Sequence, residues 1–172
     1  MARPQAVTMK GNPLTLVGEE LQAGRPAPDF TLHYFEGGMK TVTLADCKGK
    51  PTFISVVPSL DTPVCQVQTK KFNQELAALG EKINALTVSV DLPFAMNRFC
   101  GAESIQNMRA ASDYQTRNFG EKWGMLIDEL KILARGVFVL DRDGKVVYAQ
   151  TVKEVADEPD YDAALAALKA QL

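Results

Sequence analysis

The 172-residue sequence is poor in the residues from which metal sites and disulfide frameworks are built, with three cysteines and one histidine. These residues lie far apart in the chain, at His33, Cys47, Cys65 and Cys100. A zinc site needs about four ligands, three of them from protein even at an open site, and usually shows paired spacing. Three scattered cysteines also fail to form the stapled framework of a small secreted protein. We therefore predict no metal, and we interpret His33 as a structural strand residue.

An excess of charge of one sign is also missing, because 19 Lys and Arg face 21 Asp and Glu for a net charge of -2. Surfaces for nucleic acid or anionic membranes need clustered Lys and Arg, so neither partner is predicted. No apolar run approaches the roughly 20 residues of a membrane span. The N-terminal residues lack the apolar stretch of a secretory signal. We therefore expect a soluble, cytoplasmic protein.

Several motifs of common enzyme classes are absent. The sequence contains no Gly-x-Gly-x-x-Gly, and the segment 49–52 resembles a P-loop only in part because Leu44 replaces the leading glycine. It contains no Gly-x-Ser-x-Gly elbow of a hydrolase. The acidic segment 141–144 lacks the further ligands of an EF-hand and indicates only a turn. Nucleotide, hydrolase and calcium chemistry are not supported.

The hydrophobic pattern predicts one α/β domain over residues 1–172. The domain begins with an N-terminal β-hairpin over residues 1–20, with its turn at 11–13. Further strands are predicted at residues 30–34, 39–44, 52–57, 83–90, 134–140 and 145–151. Helices are predicted at residues 64–79, 93–101, 112–120 and 160–172. The strand at 52–57, the helix after it and the strand at 83–90 form a βαβ unit with parallel strands. This architecture is a mixed central sheet with helices on both faces.

Cys65 is predicted in the first turn of the helix that follows the strand at 52–57. Unpaired amides at a helix N-terminus and the helix dipole favour negative charge there, and only a thiolate is a good nucleophile. The Thr62 hydroxyl can reach back to the sulfur or hold an incoming oxygen, and Pro58 can shield the site. By position alone, an inert buried cysteine remains as reasonable as a reactive one. The inward stripe of this helix is predicted to hold Val64, Val67, Phe72, Leu76 and Leu79.

The segment Pro58-x-x-x-Thr62-x-x-Cys65 resembles the active-site pattern of the peroxiredoxins. Its wider context is similar to the thiol peroxidase branch, the atypical two-cysteine peroxiredoxins of bacteria. The segments that carry this similarity are the N-terminal hairpin and residues 26–30, 59–65, 89–95, 98–100 and 133–141. The resemblance covers nearly the whole chain. It implies a thioredoxin-like fold, in agreement with the predicted βαβ unit.

The resemblance implies a role for five residues. Cys65 becomes the peroxidatic nucleophile, and Cys100 becomes the resolving cysteine that forms a disulfide with it. Thr62 becomes a hydrogen-bonding partner of the thiolate and the peroxide, and Pro58 becomes the shield. The active-site arginine corresponds to Arg135, on the strand predicted at 134–140. Residue patterns alone leave four arginines open, namely Arg98, Arg109, Arg117 and Arg135.

The implied activity is the reduction of hydrogen peroxide and organic hydroperoxides to water and alcohols, as part of antioxidant defence. Thioredoxin is the implied reductant, no cofactor is implied, and a homodimer in the bacterial cytoplasm is expected. We further expect the helices that carry Cys65 and Cys100 to unwind partly before the disulfide forms, because each cysteine sits in a regular element. Cys47 matches nothing in the family pattern and is expected to be a bystander thiol.

Two other functions remain open at the level of sequence. A thioredoxin-like disulfide oxidoreductase would share the fold, although such proteins usually carry Cys-x-x-Cys and this chain has Gln68 three residues after Cys65. A non-catalytic redox sensor could use the same disulfide to signal to a partner. Turnover of peroxide distinguishes both from a peroxidase.

Overall fold

The computed structural model describes residues 1–172. Its strands are β1 (Ala2–Met9), β2 (Asn12–Val17), β3 (Thr31–Phe35), β4 (Met39–Thr43), β5 (Thr52–Val56), β6 (Asn84–Ser89), β7 (Arg109–Ser112), β8 (Leu126–Ile127), β9 (Gly136–Leu140) and β10 (Val146–Thr151). Its helices are α1 (Leu44–Cys47), α2 (Pro63–Glu75), α3 (Pro93–Ala102), α4 (Asn118–Lys122) and α5 (Tyr161–Lys169). None of these helices has the length and apolar character that crossing a bilayer requires.

A mixed seven-stranded sheet forms the centre of the fold, in the order β10-β9-β5-β6-β7-β3-β4. The central strand β5 pairs parallel with β6 and antiparallel with β9. All five residues of β5 are buried, as expected of a strand covered on both faces. The predicted βαβ unit is therefore confirmed, and it places the start of α2 beyond the carboxyl end of the central strand β5.

Side chains alternate between two apolar cores on either face of the sheet. On β5, Ile54 joins the core that lies under the N-terminal hairpin, whereas Phe53 joins the core under α2 and α5. This alternation follows from the two-residue period of a strand. Burial of each large side chain is worth roughly 1.5–3 kcal/mol, so both faces contribute to holding α2 on the sheet.

The N-terminal hairpin is confirmed, but its turn lies at Lys10 and Gly11 rather than at 11–13. Both residues have positive φ, 51° and 83°, as a two-residue type I′ turn requires. The hairpin is fastened to the segment 152–156, which follows β10. Thr8 exchanges backbone hydrogen bonds with this segment, and the Glu154 carboxylate accepts from the Gly11 amide at 2.8 Å. The hairpin is thus attached to the loop that leaves the last strand.

Most predicted strands are confirmed to within two residues, but two predictions about helices are wrong. The helix predicted at 112–120 begins only at Asn118, because Ser112 ends strand β7 and residues 113–117 form a turn. Strand β7 itself was not predicted, and its pairing with the buried neighbour β6 fixes its extended conformation. The helix predicted at 64–79 ends at Glu75, and residues 80–82 form a separate 3₁₀ turn. Arg135 precedes β9 instead of lying within it.

Candidate active site

Cys65 is the third residue of α2, as the sequence predicts. The helix begins at Pro63, whose fixed φ suits the first helical position. The segment 57–62 connects the end of β5 to this helix and places the cysteine beyond the carboxyl end of that strand. The Cys65 side chain is completely buried, at 0% exposure, and packs with Val57, Leu60 and Met96. A fully covered sulfur therefore lies at a helix N-terminus.

Arg135 is the charged side chain that hydrogen-bonds to this sulfur. Its Nη2 donates to Cys65 Sγ at 3.4 Å, and its Nε donates to the Val155 carbonyl at 2.8 Å. The guanidinium is 3% exposed, and no carboxylate lies within ion-pair distance of it. A buried charge normally has a partner of opposite sign. Cys65 is the one acidic side chain that the guanidinium contacts by hydrogen bond.

Gln68 completes the environment of Arg135, and the sequence analysis missed this role. Its Oε1 accepts from Arg135 Nη1 at 2.9 Å, while its Nε2 donates to Ser55 Oγ at 2.8 Å. Residues three apart in a helix share one face, so Gln68 follows Cys65 onto the inward side of α2. The signal was present in the sequence as a polar residue at helical spacing from the cysteine.

The inward face of α2 differs from the predicted apolar stripe. Val67 is half exposed, whereas the buried residues are Cys65, Gln68, Thr69 and Phe72. The polar ones are satisfied locally, since Thr69 Oγ1 donates to the Cys65 carbonyl at 2.8 Å. The predicted stripe is confirmed at Phe72 and Leu76, which are buried in the core under α2, and it is wrong at Val67, because the first turns of the helix cover Ser55 and Arg135.

Thr62 and Pro58 lie in the loop before α2, but Thr62 does not bond to the sulfur. Its Oγ1 donates instead to the Ser59 carbonyl at 3.0 Å, three residues earlier. The hydroxyl oxygen has no donor of its own. Pro58 is buried directly after β5, where it presents no backbone N–H. Both residues thus line the approach to the helix start.

Cys100 lies on α3 and is half buried, and all three cysteines are free thiols. Met96, which packs on Cys65, lies one helical turn before Cys100 on the same face of α3. Phe99 touches both the Cys65 cluster and the core on which Cys100 packs. Burial raises the pKa of the Cys100 thiol to about 11. The two thiols therefore occupy neighbouring apolar clusters under adjacent helices.

Cys47 is placed apart from these groups, at the end of α1 in the opposite core. Burial raises its pKa to about 11. A cavity of about 700 Å³ is lined by Cys47, Cys100 and Met96 but does not include Cys65. His33 lies on β3 with its ring against Tyr114. No three metal-ligating side chains come together anywhere in the chain.

The sequence and the fold are similar to those of known proteins. The family model described as Redoxin matches residues 22–165. The chain is 50% identical over 164 residues to the thiol peroxidase of Bacillus subtilis, covering 95% of this chain and 96% of that protein. A crystal structure of a peroxiredoxin-like protein from Aquifex aeolicus superposes with a TM-score of 0.89 at 44% identity, over 98% of each chain. The thiol peroxidase from Chromobacterium violaceum shares the fold, with a TM-score of 0.82 at 19% identity over 95% of each chain.

Proposed function

Because this chain belongs to the redoxin family, and within it to the thiol peroxidases, we propose that it reduces hydroperoxides with Cys65 as the attacking thiolate. The observation that carries the proposal is the hydrogen bond from Arg135 to Cys65 Sγ at 3.4 Å. A guanidinium stays charged at any physiological pH, and a buried charge without a counter-charge is costly. A negative sulfur supplies that counter-charge, because no carboxylate reaches the guanidinium.

In the first step the Cys65 thiolate attacks the nearer oxygen of the peroxide. A sulfur–oxygen bond forms, the O–O bond breaks, and the leaving oxygen takes up a proton to become water or an alcohol. The sulfur is oxidised to a sulfenic acid and the peroxide is reduced. Arg135 stabilises the charge that moves onto the leaving oxygen. The protein's own residues carry out this chemistry without a cofactor.

Thr62 and Pro58 orient and protect the peroxide in this proposal. Since the Thr62 hydroxyl donates its hydrogen bond to the Ser59 carbonyl, its oxygen is available to accept a hydrogen bond from a peroxide O–H. Pro58 has no amide to hold water beside the sulfur. Because Cys65 has no exposed surface, the peroxide enters when Leu60 or Met96 moves aside.

In the second step the Cys100 thiol condenses with the sulfenic acid. The sulfur–sulfur bond forms, the sulfenic oxygen leaves, and it departs as water with the thiol proton. Cys65 lies in α2 and Cys100 in α3, and the two sulfurs are packed in separate clusters. Both helices therefore unwind in part before the bond forms. Thioredoxin then reduces the disulfide through its own dithiol and returns both thiols.

The remaining expectations belong to the same proposal. Residues 1–172 act as one domain, the enzyme is a homodimer in the bacterial cytoplasm, and its role is antioxidant defence. Hydrogen peroxide and organic hydroperoxides are both substrates. Sedimentation velocity over a range of concentrations tests the dimer, and a monomer at all concentrations would contradict it.

A thioredoxin-coupled assay with NADPH and thioredoxin reductase tests the mechanism with three matched variants. Cys65→Ser should abolish peroxide consumption, and Cys100→Ser should give one round of oxidation without recycling. Cys47→Ser should turn over like the wild type. Wild-type turnover by Cys65→Ser would refute the proposal. A single oxidation without turnover in the wild type would indicate a redox sensor instead.

A further inference from the structure

We propose that Asp91 is a positioning residue that latches the Cys65 loop to the start of the Cys100 helix and releases it before the disulfide forms. This inference rests on the function proposed above. It concerns the order of events between the two cysteines, because Asp91 stands two residues before α3 and its carboxylate holds the loop that leads to Cys65.

The Asp91 carboxylate accepts hydrogen bonds from the loop that leads to Cys65. Its Oδ1 accepts from Ser59 Oγ at 2.7 Å, and its Oδ2 accepts from the Leu60 amide at 2.8 Å. Ser89 Oγ donates to Oδ2 at 2.6 Å from the end of β6. No lysine or arginine lies within ion-pair distance of the carboxylate. The loop and one strand end are thus its partners.

The backbone of Asp91 is fixed to the sheet from two sides. Ser112 Oγ, at the end of β7, donates to the Asp91 carbonyl oxygen. The Asp91 amide lies 3.2 Å from Ser89 Oγ. Helix α3 begins at Pro93, two residues later. The backbone of Asp91 is therefore held in place by the sheet while its carboxylate bonds the loop that leads to Cys65.

Through this loop the carboxylate controls the cover and the polar lining of the site. Leu60 is one of the residues that bury Cys65. The Ser59 carbonyl oxygen accepts a hydrogen bond from the Thr62 hydroxyl, and Ser59 Oγ accepts one from the Asp61 amide at 3.1 Å. While the latch is closed, the loop is held in the shape in which Leu60 covers the sulfur and Thr62 bonds the Ser59 carbonyl.

The same latch opposes the meeting of the two thiols. Residues 92–96 of the α3 start follow Asp91 directly, and Met96 packs on Cys65. Movement of Cys65 toward Cys100 requires the loop and this helix to separate. Hydrogen bonds to a charged group are stronger than neutral ones, so their loss in the open form slows opening. The closed form of the loop favours peroxide reduction, and the open form favours formation of the disulfide.

Asp91→Asn separates these two effects. The amide keeps the size of the side chain but removes the negative charge, and its NH₂ group in place of Oδ1 cannot accept from the Ser59 hydroxyl, so the bonds to the loop lose their charge assistance. We expect sulfenic acid formation to slow about tenfold and disulfide formation to speed up about tenfold, as loss of a charge-assisted hydrogen bond predicts. Faster resolution also leaves less sulfinic acid at high peroxide.

Rapid mixing of the reduced protein with peroxide, followed by acid quench and mass spectrometry, measures both steps. The control is Asp141→Asn, whose carboxylate also accepts backbone amides, from Asp143 at 2.9 Å and Lys145 at 3.0 Å, in a turn outside the site. The control should keep wild-type rates. Should Asp91→Asn fail to fold, Ser59→Ala removes one loop-side donor to Asp91, together with the acceptor of the exposed Asp61 amide, and should shift the two rates in the same directions, by a smaller factor.

Opposite shifts of the two rates support the latch, because a residue needed only for folding would slow both steps. Unchanged rates, or a slowing of both, would overturn it while wild type and control still consume peroxide. Failure of the wild type itself to consume peroxide would overturn the proposed function and the latch together.

Discussion

The guanidinium of Arg135 donates a hydrogen bond to Cys65 Sγ at 3.4 Å across 70 residues of sequence, while no carboxylate pairs with it. Two of its other N–H groups donate to the neutral oxygens of Gln68 and Val155. The folded chain has therefore buried a cation and left the sulfur as its only acidic contact. Several of the variants below alter that relationship or its supports.

Arg135→Lys keeps the positive charge but loses the planar group that serves three acceptors at once. We expect kcat/KM for peroxide to fall by about 10²–10³, the size seen when a charge-stabilising donor is removed from an active site. The assay is peroxide consumption coupled to thioredoxin. Arg142→Lys makes the same change at an exposed turn and should retain wild-type kinetics. Equal activity of both variants would remove Arg135 from the reaction.

Gln68→Leu removes the bridge between Arg135 and Ser55. A buried guanidinium donor and a buried hydroxyl then lose a partner, which we expect to cost about 1–3 kcal/mol of unfolding free energy. Peroxide reduction should slow about tenfold because the guanidinium is less firmly oriented. Urea unfolding and the coupled assay measure the two effects.

Gln74→Leu on the exposed side of α2 is the matched control for Gln68→Leu. It should change unfolding free energy by no more than about 0.5 kcal/mol and leave activity intact. If the two variants behave alike, the bridge has no special role.

Thr87→Val should stabilise the protein. Thr87 is completely buried on β6, in register with Ser55, and its hydroxyl has no hydrogen-bond partner. Replacing an unpaired hydroxyl by a methyl group of the same shape removes a desolvation cost, so we expect a gain on the order of 1 kcal/mol. Thr69→Val, which breaks the bond to the Cys65 carbonyl, should instead destabilise. Calorimetric melting of both variants tests this, and a lower melting temperature for Thr87→Val would contradict it.

The raised pKa of Asp113 leads us to expect that the free energy of unfolding falls as the pH rises. Desolvation raises its pKa from the ordinary 3.8 to about 6, despite amide donors from Gly120 and Phe119 that oppose the shift. The folded carboxyl therefore keeps its proton over a range where the unfolded one has lost it. Stability decreases from about pH 4 to about pH 6, by on the order of 2–3 kcal/mol, and stays lower above that range.

Urea unfolding at several pH values, compared between the wild type and Asp113→Asn, isolates this contribution. The variant should lack the decrease between pH 4 and pH 6, whatever its absolute stability. Asp157→Asn, at an exposed position, should retain the wild-type slope. A wild-type slope in Asp113→Asn would show that its carboxyl does not titrate in this range.

The position of Cys65 was accessible from sequence because its signals are local. A buried β-branched strand, a proline at the first helical position and a cysteine two residues later describe a strand-to-helix junction without any distant contact. The cysteine's neighbours were harder to predict. Arg135 was assigned to the site by resemblance alone, since a contact across 70 residues leaves no periodic signal in the sequence.

The errors have physical causes of the same kind. Gln68 faces inward because the sheet offers it Ser55, and Thr69 does so because its hydroxyl bonds the Cys65 carbonyl one turn earlier in α2; hydrophobic periodicity registers neither partner. Strand β7 was not predicted because its Arg-Ala-Ala-Ser sequence has no strong β-propensity. Its conformation is imposed by the neighbouring strand β6.

The attachment of the N-terminal hairpin has a practical consequence for handling this protein. The family model starts at residue 22, so trimming the chain to the matched region would discard the hairpin. Glu154 and Thr8 fasten that hairpin to the loop whose Val155 carbonyl receives Arg135 Nε. A shortened version would thus leave the arginine's support unfastened.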